Sequence, residues 1–354
     1  MKRLLLTVAA ALLATAAHAA DPPRMQVDPS WPKPLPHNWT LGEVSGIATD
    51  EHDHVWIIQR PTANPTRPAP PVPAPPVIEL DPDGNVVQSW GGPWHGAGPR
   101  YDWFTNEHGI TVDPRGFVWL TGNGAEDGQI LKFTRDGRFL LQIGHPGAKA
   151  DSNDVTRLGR ATQTRLDPAT NELYVSDGYA NHRIIVFDAD TGAYKRHWGA
   201  YGLPPTDRHL TYDPKAPPAR QFGNPVHCVV LARDGLVYVC DRKNDRVQVF
   251  RHDGSFVAEW FVRPETRGPG SVWDLALSPD AAQSYLYNAD GTNEEVRILR
   301  RADGRIVGSF GRPGRQAGQF HWLHGIAVDS HGNVFTAEVD TANRVQKFVS
   351  AGRP

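Results

Sequence analysis

The sequence predicts an all-β chain that folds as a six-bladed β-propeller and is closed by a strand from its N-terminus. One pattern recurs six times along the chain: an alternating apolar strand, a turn containing Asp or Gly, and a second apolar strand. The composition agrees with this pattern, because 34 glycines and 31 prolines among 354 residues favour many short strands joined by tight turns.

Six positions are equivalent in the recurring pattern, and each begins the first strand of a repeat. They are Ser45, His108, Thr162, His227, Trp273 and His324. The steps between them are 63, 54, 65, 46 and 51 residues, and each step accommodates four short strands with their loops, which is one propeller blade. We therefore expect a single domain over residues 21–354, because halving a propeller would expose the faces of its blades.

The last repeat contains only three strands before the chain ends. Residues 25–27 are the candidates for the missing outer strand, which would leave the ring without an open sheet edge. A proline-rich insertion, residues 61–76 with 8 prolines in 16 positions, falls between the second and third strands of the first blade. It predicts an extended loop that acts as a spacer or a lid.

Residues 1–20 have the features of a secretory signal peptide. Lys2 and Arg3 precede an uncharged apolar run over residues 4–17, and small residues follow at the expected cleavage position. The run is too short to span a membrane. We expect an exported protein, periplasmic or secreted, with no membrane span in the mature chain.

The two cysteines, Cys228 and Cys240, flank a predicted hairpin and should face each other across it. An oxidising compartment permits a disulfide there, and two buried thiols fit the pattern equally well.

Composition also narrows the partners. A formal net charge of −2 excludes a general nucleic-acid binder, which needs a positive excess to neutralise phosphates. The hydrophobic fraction of 39% is that of a soluble globular chain. We expect a monomer whose partner is a small molecule or a peptide.

Three of the six equivalent positions carry histidine. His108, His227 and His324 lie on alternate blades, about 120° apart around the ring, so their imidazoles should converge on the axis. Three protein ligands with an open position are typical of catalytic zinc. Copper, nickel, cobalt and iron(II) also accept imidazole, whereas calcium does not suit it. The alternative is three unrelated polar side chains that line a water-filled channel.

The second strands of three blades end on the same face of the propeller as these histidines. Arg60, Tyr179 and Arg242 follow or end those strands and should surround the metal. Two guanidinium groups suit a carboxylate-bearing substrate. They would also stabilise the phenolate form of Tyr179, which could then serve as a base. The alternative is that the arginines pair with aspartate side chains such as Asp241 at the same face.

Third-strand segments such as residues 241–250 (DRKNDRVQVF) resemble NHL repeats, whose Asp, Asn and Arg side chains we expect to tie the blades together. The mature chain as a whole resembles the peptidyl-α-hydroxyglycine α-amidating lyase family, six-bladed NHL-type propellers with a catalytic zinc. The most specific segments are residues 107–110 (EHGI), 175–184 (VSDGYANHRI), 225–227 (PVH) and 323–325 (LHG). The resemblance assigns the zinc ligands to His108, His227 and His324, the catalytic tyrosine to Tyr179, and the active-site arginines to Arg60 and Arg242.

The chain departs from the family pattern at three positions. Gly325 stands where the family has an aspartate that helps bind a structural calcium, so the carbonyls expected at Ile47 and Ile110 leave only a weak calcium site. Trp322 replaces a methionine and should reshape the pocket. Ala180 replaces a cysteine, so the family's disulfides do not carry over.

The resemblance implies a zinc-dependent carbon–nitrogen lyase of the peptidylamidoglycolate lyase type. Such an enzyme cleaves the carbinolamide C–N bond of a peptidyl-α-hydroxyglycine-like substrate to an amide and glyoxylate. Two alternatives stay open: a propeller lactonase or hydrolase, which would use acidic residues around calcium, and a non-catalytic NHL interaction module.

Overall fold

Six four-stranded antiparallel sheets form the blades of a β-propeller, which is the predicted architecture. The computed structural model describes residues 22–61, 72–96, 98–147 and 151–351. The predicted signal peptide lies outside the described residues, as does most of the proline-rich insertion.

The strands of blades 1 to 3 follow one another from the propeller axis outward. In blade 1 they are Glu43–Thr49, Val55–Arg60, Val77–Leu80 and Val86–Trp90; in blade 2, Glu107–Val112, Val118–Gly122, Gln129–Phe133 and Phe139–Gly144; in blade 3, Ala161–Asp167, Glu172–Asp177, Arg183–Asp188 and Tyr194–Trp198.

Blades 4 and 5 repeat this order, and blade 6 supplies three strands from the C-terminal part of the chain. In blade 4 the strands are Val226–Leu231, Leu236–Asp241, Arg246–Arg251 and Phe256–Phe261; in blade 5, Asp274–Leu277, Tyr285–Asp290, Glu295–Arg300 and Ile306–Phe310; in blade 6, Leu323–Val328, Val334–Glu338 and Arg344–Ser350.

The ring is closed by the N-terminal strand Met25–Asp28, which pairs antiparallel with Arg344–Ser350 as the outer strand of blade 6. Met25 lies opposite Ser350 and Val27 opposite Phe348. The predicted closure is thus confirmed, and the outer edge of blade 6 is covered.

Short elements complete the described chain. They are the 3₁₀ turns Pro36–Asn38, Ala200–Gly202 and Arg242–Asn244, and a parallel pair formed by Trp39–Thr40 and Val72–Pro73. The pair holds the C-terminal end of the proline-rich insertion against the segment that precedes blade 1. No helix among the described residues is long and apolar enough to cross a membrane.

The hydrophobic core lies between neighbouring blades. Trp56 and Ile58 of blade 1, for example, pack in one buried cluster with Ile110 and Leu120 of blade 2. Inner strands are buried along nearly their whole length because both of their faces meet another blade. Outer strands such as Phe139–Gly144 are only partly buried. The tightly packed inner strands provide a rigid support for side chains at the axis.

Buried ion pairs join the second and third strands of several blades. Arg183 and Arg246 are fully buried and pair with Asp177 at 2.9 Å and Asp241 at 2.7 Å. Arg183 also donates to the carbonyls of Ser152, at 2.9 Å, and other residues of the segment between blades 2 and 3. The role of these side chains is structural, as predicted, but the ion pairs lie within a blade and do not tie one blade to the next as the sequence led us to expect.

Cys228 and Cys240 form a disulfide between the first two strands of blade 4. Their backbones are directly opposite in the strand register, as the predicted hairpin requires. Of the two possibilities that the sequence left open, the structure has the bonded one.

Candidate metal centre and active site

A β-bulge marks the start of the innermost strand in five of the six blades. The strand register shifts at Ser45, His108, Thr162, His227 and His324. A bulge leaves one residue out of the ladder and redirects its side chain. The recurring sequence position is therefore also a recurring distortion of the backbone, and in three blades it carries histidine.

The structure brings the imidazoles of His108, His227 and His324 together at the axis. Their ring centroids are 4.9 to 5.1 Å apart. Each residue offers a nitrogen, and these three atoms lie within 4.8 Å of one another. All three side chains are buried. Such a cluster has the composition and spacing of a three-histidine metal centre.

The outer nitrogen of each imidazole bonds to the backbone of the next blade. Nδ1 of His108 lies 2.9 Å from the carbonyl oxygen of Thr162, and Nδ1 of His324 lies 2.7 Å from that of Ser45. Nδ1 of His227 bonds to the carbonyl of Trp273 in the same way. A carbonyl only accepts, so Nδ1 carries the proton and Nε2 keeps its lone pair. Hydrogen bonds of this kind orient metal-ligating histidines.

The environment keeps the imidazoles neutral. Burial, helped by the charge of Arg60, lowers the pKa of His108 to about 3. Burial likewise holds the pKa values of His227 and His324 well below the ordinary value. Neutral imidazole is the form that binds metal ions.

Tyr179 directs its hydroxyl at the centre of the cluster. The phenol oxygen lies 3.1 Å from Nε2 of His227 and 3.3 Å from Nε2 of His108. Arg242 donates to the same oxygen from 3.3 Å. Tyr179 follows the second strand of blade 3, and Arg242 follows that of blade 4, so the strand ends deliver both to the face that carries the histidines.

Arg242 is buried without an acidic partner among the described residues. Its Nε donates to the carbonyl of Pro269 at 2.9 Å, and its guanidinium lies 3.9 Å from the ring centroid of Trp273. Burial lowers its pKa. The sequence left open that Arg242 pairs with Asp241, but Asp241 forms its ion pair with Arg246. A buried cation held by neutral groups suits an anionic ligand.

Arg60 is held differently from Arg242. Its Nε donates to the carbonyl of Glu107 at 2.9 Å, directly before His108, and it forms an ion pair with Glu43. The alternative interpretation expected an aspartate as the partner of this residue, whereas the partner is a glutamate. Arg60 therefore lies beside the histidines with part of its charge already compensated.

Sequence reasoning missed a third arginine. The guanidinium of Arg160 lies 5.5 Å from the ring centroid of Tyr179, and that of Arg242 lies 5.8 Å from it. Arg160 has a positive φ of 64° and donates to the carbonyl of Asn123 at 2.7 Å. Its position between two blades depends on this backbone conformation, which the repeat pattern does not encode.

Two tryptophans form one wall of the site. The Trp273 and Trp322 rings are 5.6 Å apart, and Trp273 also lies 5.7 to 5.8 Å from the rings of His324 and His227. Trp322 has a positive φ of 53° and is 36% exposed. A bulky residue in this conformation is uncommon in any protein. Trp322 therefore reaches the site through its contact with Trp273, in a backbone conformation that the sequence did not predict.

Below the histidines, a cavity of about 20 Å³ is lined by Ile47, Ile110 and Asp274. Asp274 accepts hydrogen bonds from Gln163 at 3.1 Å and from the backbone of Ile326 at 3.0 Å. Burial raises its pKa to about 6. A carboxylate thus reaches the axis from blade 5, although Gly325 brings none from blade 6.

A second cluster of possible ligands, Asp50, His54 and Glu79, lies away from the axis. The guanidinium of Arg135 contacts Asp50 at 2.6 Å and also pairs with Glu79. This cluster is therefore an ion-pair network that already contains its cation.

Comparison with known proteins finds one family model and several relatives at modest identity. A model of the NHL repeat matches residues 226–250, the first three strands of blade 4. Peptidyl-glycine α-amidating monooxygenase B of Xenopus laevis is 27% identical over 343 residues, which cover 92% of this chain and 35% of the relative. Peptidyl-α-hydroxyglycine α-amidating lyase 1 of Drosophila melanogaster is 28% identical over 274 residues, covering 71% and 46%. NHL repeat-containing protein 3 of Mus musculus is 25% identical over 342 residues, covering 93% and 85%.

The chain spans about a third of the length of the first of these relatives. Its homologues thus include proteins named as amidating lyases, at modest identity.

Among solved structures, virginiamycin B lyase of Staphylococcus aureus matches with a TM-score of 0.50 at 14% identity, covering 93% of this chain and 89% of that chain. A Bacteroides thetaiotaomicron protein of unknown function matches with a TM-score of 0.57 at 16% identity, covering 88% and 70%. These likenesses show the propeller fold.

Proposed function

We propose that the chain is a zinc-dependent lyase that cleaves the carbinolamide C–N bond of a peptidyl-α-hydroxyglycine-like substrate. One observation carries the proposal: three neutral imidazoles from alternate blades meet at the axis, and the Tyr179 hydroxyl lies within 3.3 Å of two of them. The kinship with amidating lyases supports the same chemistry. The signal-like N-terminus supports an exported enzyme.

The donor set fits zinc. Three imidazoles whose Nδ1 atoms are tied to backbone carbonyls present three Nε2 lone pairs to one point, and zinc accepts three such ligands with an open fourth position. When bound, zinc would supply Lewis acidity, which makes a hydroxyl group at the open position a stronger acid.

The remaining steps fall to side chains of this chain. Arg242 binds the substrate carboxylate, because it is a buried cation with no acidic partner among the described residues. Tyr179, in its phenolate form, takes the proton of the α-hydroxyl group. The electron pair of that O–H bond forms the aldehyde C=O as the C–N bond breaks. The amide nitrogen leaves with the C–N electron pair and receives the proton from Tyr179. The products are a primary amide and glyoxylate, so atoms and charge balance.

Two other functions fit parts of the structure. NHL repeat-containing protein 3 covers as much of this chain as the lyase relatives do, which supports a non-catalytic module. Asp274 at the axis is the kind of residue that a calcium-dependent lactonase would use, although three imidazoles lie above it.

Metal content and product release together test the proposal. Protein purified without chelators should contain about one zinc per chain, measured by elemental analysis, and should release glyoxylate from an N-acyl-α-hydroxyglycine faster than the spontaneous reaction. His227→Ala is the matched control and should lack both properties. Calcium without zinc would favour the lactonase. Absence of any metal together with absence of glyoxylate release would favour the interaction module, and either result would overturn the lyase.

A further inference from the structure

A second cavity opens beside the proposed active site. It has a volume of about 570 Å³ and lies among the loops that join blades 3, 4 and 5. Lys243, the neighbour of Arg242 in the chain, lines it, and so does Gly268, the neighbour of Pro269. Since Arg242 donates to the carbonyl of Pro269, the two sites share the wall that these residues form. We call this cavity the anion pocket.

The shared wall is fixed by close backbone contacts. The amide of Gly270 donates to the carbonyl of Arg267 at 3.0 Å, and the indole of Trp273 donates to the carbonyl of Gly270 at 2.7 Å. Gly270 has a φ of +88°, and a Cβ there would lie 1.9 Å from the carbonyl oxygen of Arg242. Only glycine permits this close approach, which holds the loop that contains Gly270 against the loop that contains Arg242. The pocket and the catalytic residues therefore keep a constant relative position.

The anion pocket is lined by three cations, Arg208, Lys243 and Arg267. Their side chains make no ion pair or hydrogen bond with any of the described residues, whereas Arg246 nearby is bound to two carboxylates. One carboxylate, Asp207, also lines the pocket, and it accepts hydrogen bonds from the amide of Ser152 at 3.0 Å and from its hydroxyl at 2.6 Å.

The histidines His182 and His209 and the phenol of Tyr212 complete the titratable groups of the pocket. Nδ1 of His182 lies 2.9 Å from the carbonyl oxygen of Phe222, and the Tyr212 hydroxyl donates to the carbonyl of Pro264 at 2.8 Å. The pocket therefore has an excess of positive charge, in a chain whose formal net charge is −2. Several unpaired cations in one concave site attract an anionic group and raise its local concentration.

We infer that the anion pocket binds a negatively charged group on the acyl side of the substrate, so that the preferred substrates are acidic acyl-α-hydroxyglycines. This inference rests on the proposed function, in which Arg242 already takes the carboxylate of the hydroxyglycine unit. A second carboxylate on the acyl portion would lie across the shared wall, next to Lys243 and Arg267.

Peptide amides, the products of the proposed reaction, test the pocket without turnover. The series carries a single Glu at the first, second or third position before the amide, and each peptide has a twin with Gln. Calorimetry should show that at least one Glu peptide binds about tenfold more tightly than its Gln twin, since a charge-assisted contact is lost in the twin. The preference should weaken with added salt.

Lys243→Gln and Arg267→Gln should each reduce this preference. Arg305→Gln is the control, because Arg305 is an exposed cation of blade 5 that does not line the pocket, and it should leave the preference unchanged. Melting temperatures close to that of wild type would show that all three variants fold. Equal affinities within every Glu and Gln pair, or a preference that survives both pocket substitutions, would overturn the inference.

Glyoxylate release from the matching α-hydroxyglycine peptides separates this inference from the proposed function. Release of glyoxylate without any preference for Glu peptides in binding would refute the role of the anion pocket and would still support the lyase. A Glu preference that the pocket substitutions abolish, with no release from any peptide, would support the pocket and overturn the lyase.

Discussion

The substitution Tyr179→Phe removes only the hydroxyl group of Tyr179. The structure predicts different effects of this change on turnover, on zinc content and on stability. If this oxygen accepts the proton of the substrate, the rate of glyoxylate release should fall by about 10²–10⁴, which corresponds to about 2.7–5.5 kcal/mol of transition-state stabilisation. Zinc content should not change, because the three imidazoles keep their backbone partners.

The loss in free energy of unfolding caused by Tyr179→Phe should be much smaller than the loss of transition-state stabilisation. The phenol oxygen is 3.1 to 3.3 Å from its three partners, which are long hydrogen bonds, and the side chain is only half-buried. Loss of these contacts should lower the free energy of unfolding by about 1 kcal/mol. The melting temperature would then fall by about 1–2 °C, because the entropy of unfolding of so long a single domain is large.

Tyr174→Phe in the same blade is a matched control. Tyr174 is buried, and its hydroxyl lies 2.9 Å from Glu172 and 2.7 Å from Arg196, away from the axis. This change should lower stability by about 1–2 kcal/mol and leave turnover intact. Both variants should therefore lose a similar amount of stability, and only Tyr179→Phe should lose turnover. Turnover of Tyr179→Phe near the wild-type value, at unchanged zinc content, would refute the role of Tyr179 as the base.

Three further predictions concern the metal, the disulfide and a buried ion pair. His227→Ala should lose zinc and glyoxylate release together, as elemental analysis and the lyase assay would show; zinc retained at full occupancy would contradict the three-histidine centre. Replacing Cys228 and Cys240 by alanine opens a loop with a sequence separation of 12 and should lower the free energy of unfolding by about 2–3 kcal/mol in denaturant titration. Arg246→Met leaves the buried carboxylate of Asp241 without its cation and should cost about 3–5 kcal/mol, so an unchanged unfolding midpoint would show that the pair is dispensable.

The repeat pattern was sufficient to predict the blades and the closing strand. Each blade has the same alternation and turn signals, and a ring that lacks one strand must take it from the other end of the chain. The convergence of His108, His227 and His324 follows from the same symmetry, because equivalent positions on alternate blades face one axis. Local pattern and ring geometry therefore determine these features without knowledge of the loops.

Features that depend on contacts between distant loops could not be predicted in this way. The anion pocket is formed by residues such as Arg208 and Arg267, which belong to irregular segments between blades. The position of Arg160 beside Tyr179 depends on a positive φ.

The ion pair of Arg60 with Glu43 is a different case, because it was missed although it could have been predicted. The two residues lie opposite each other at the ends of the first two strands of blade 1, and this strand register would have suggested the pair.

The three blades without histidine at the axis contribute to the histidine cluster through their backbone. Ser45, Thr162 and Trp273 differ in size and polarity, yet the carbonyl of each accepts a hydrogen bond from the imidazole of the preceding blade. A carbonyl is present whatever the side chain, so these positions can vary while the orientation of the imidazoles is kept. The ring thus divides its six equivalent positions into three that carry the imidazoles and three whose carbonyls fix their tautomer. The side chain of Trp273 has a further role, because its ring lies under the guanidinium of Arg242 and meets the ring of Trp322 edge to face. It therefore links the histidine cluster to the arginine that we propose binds the substrate.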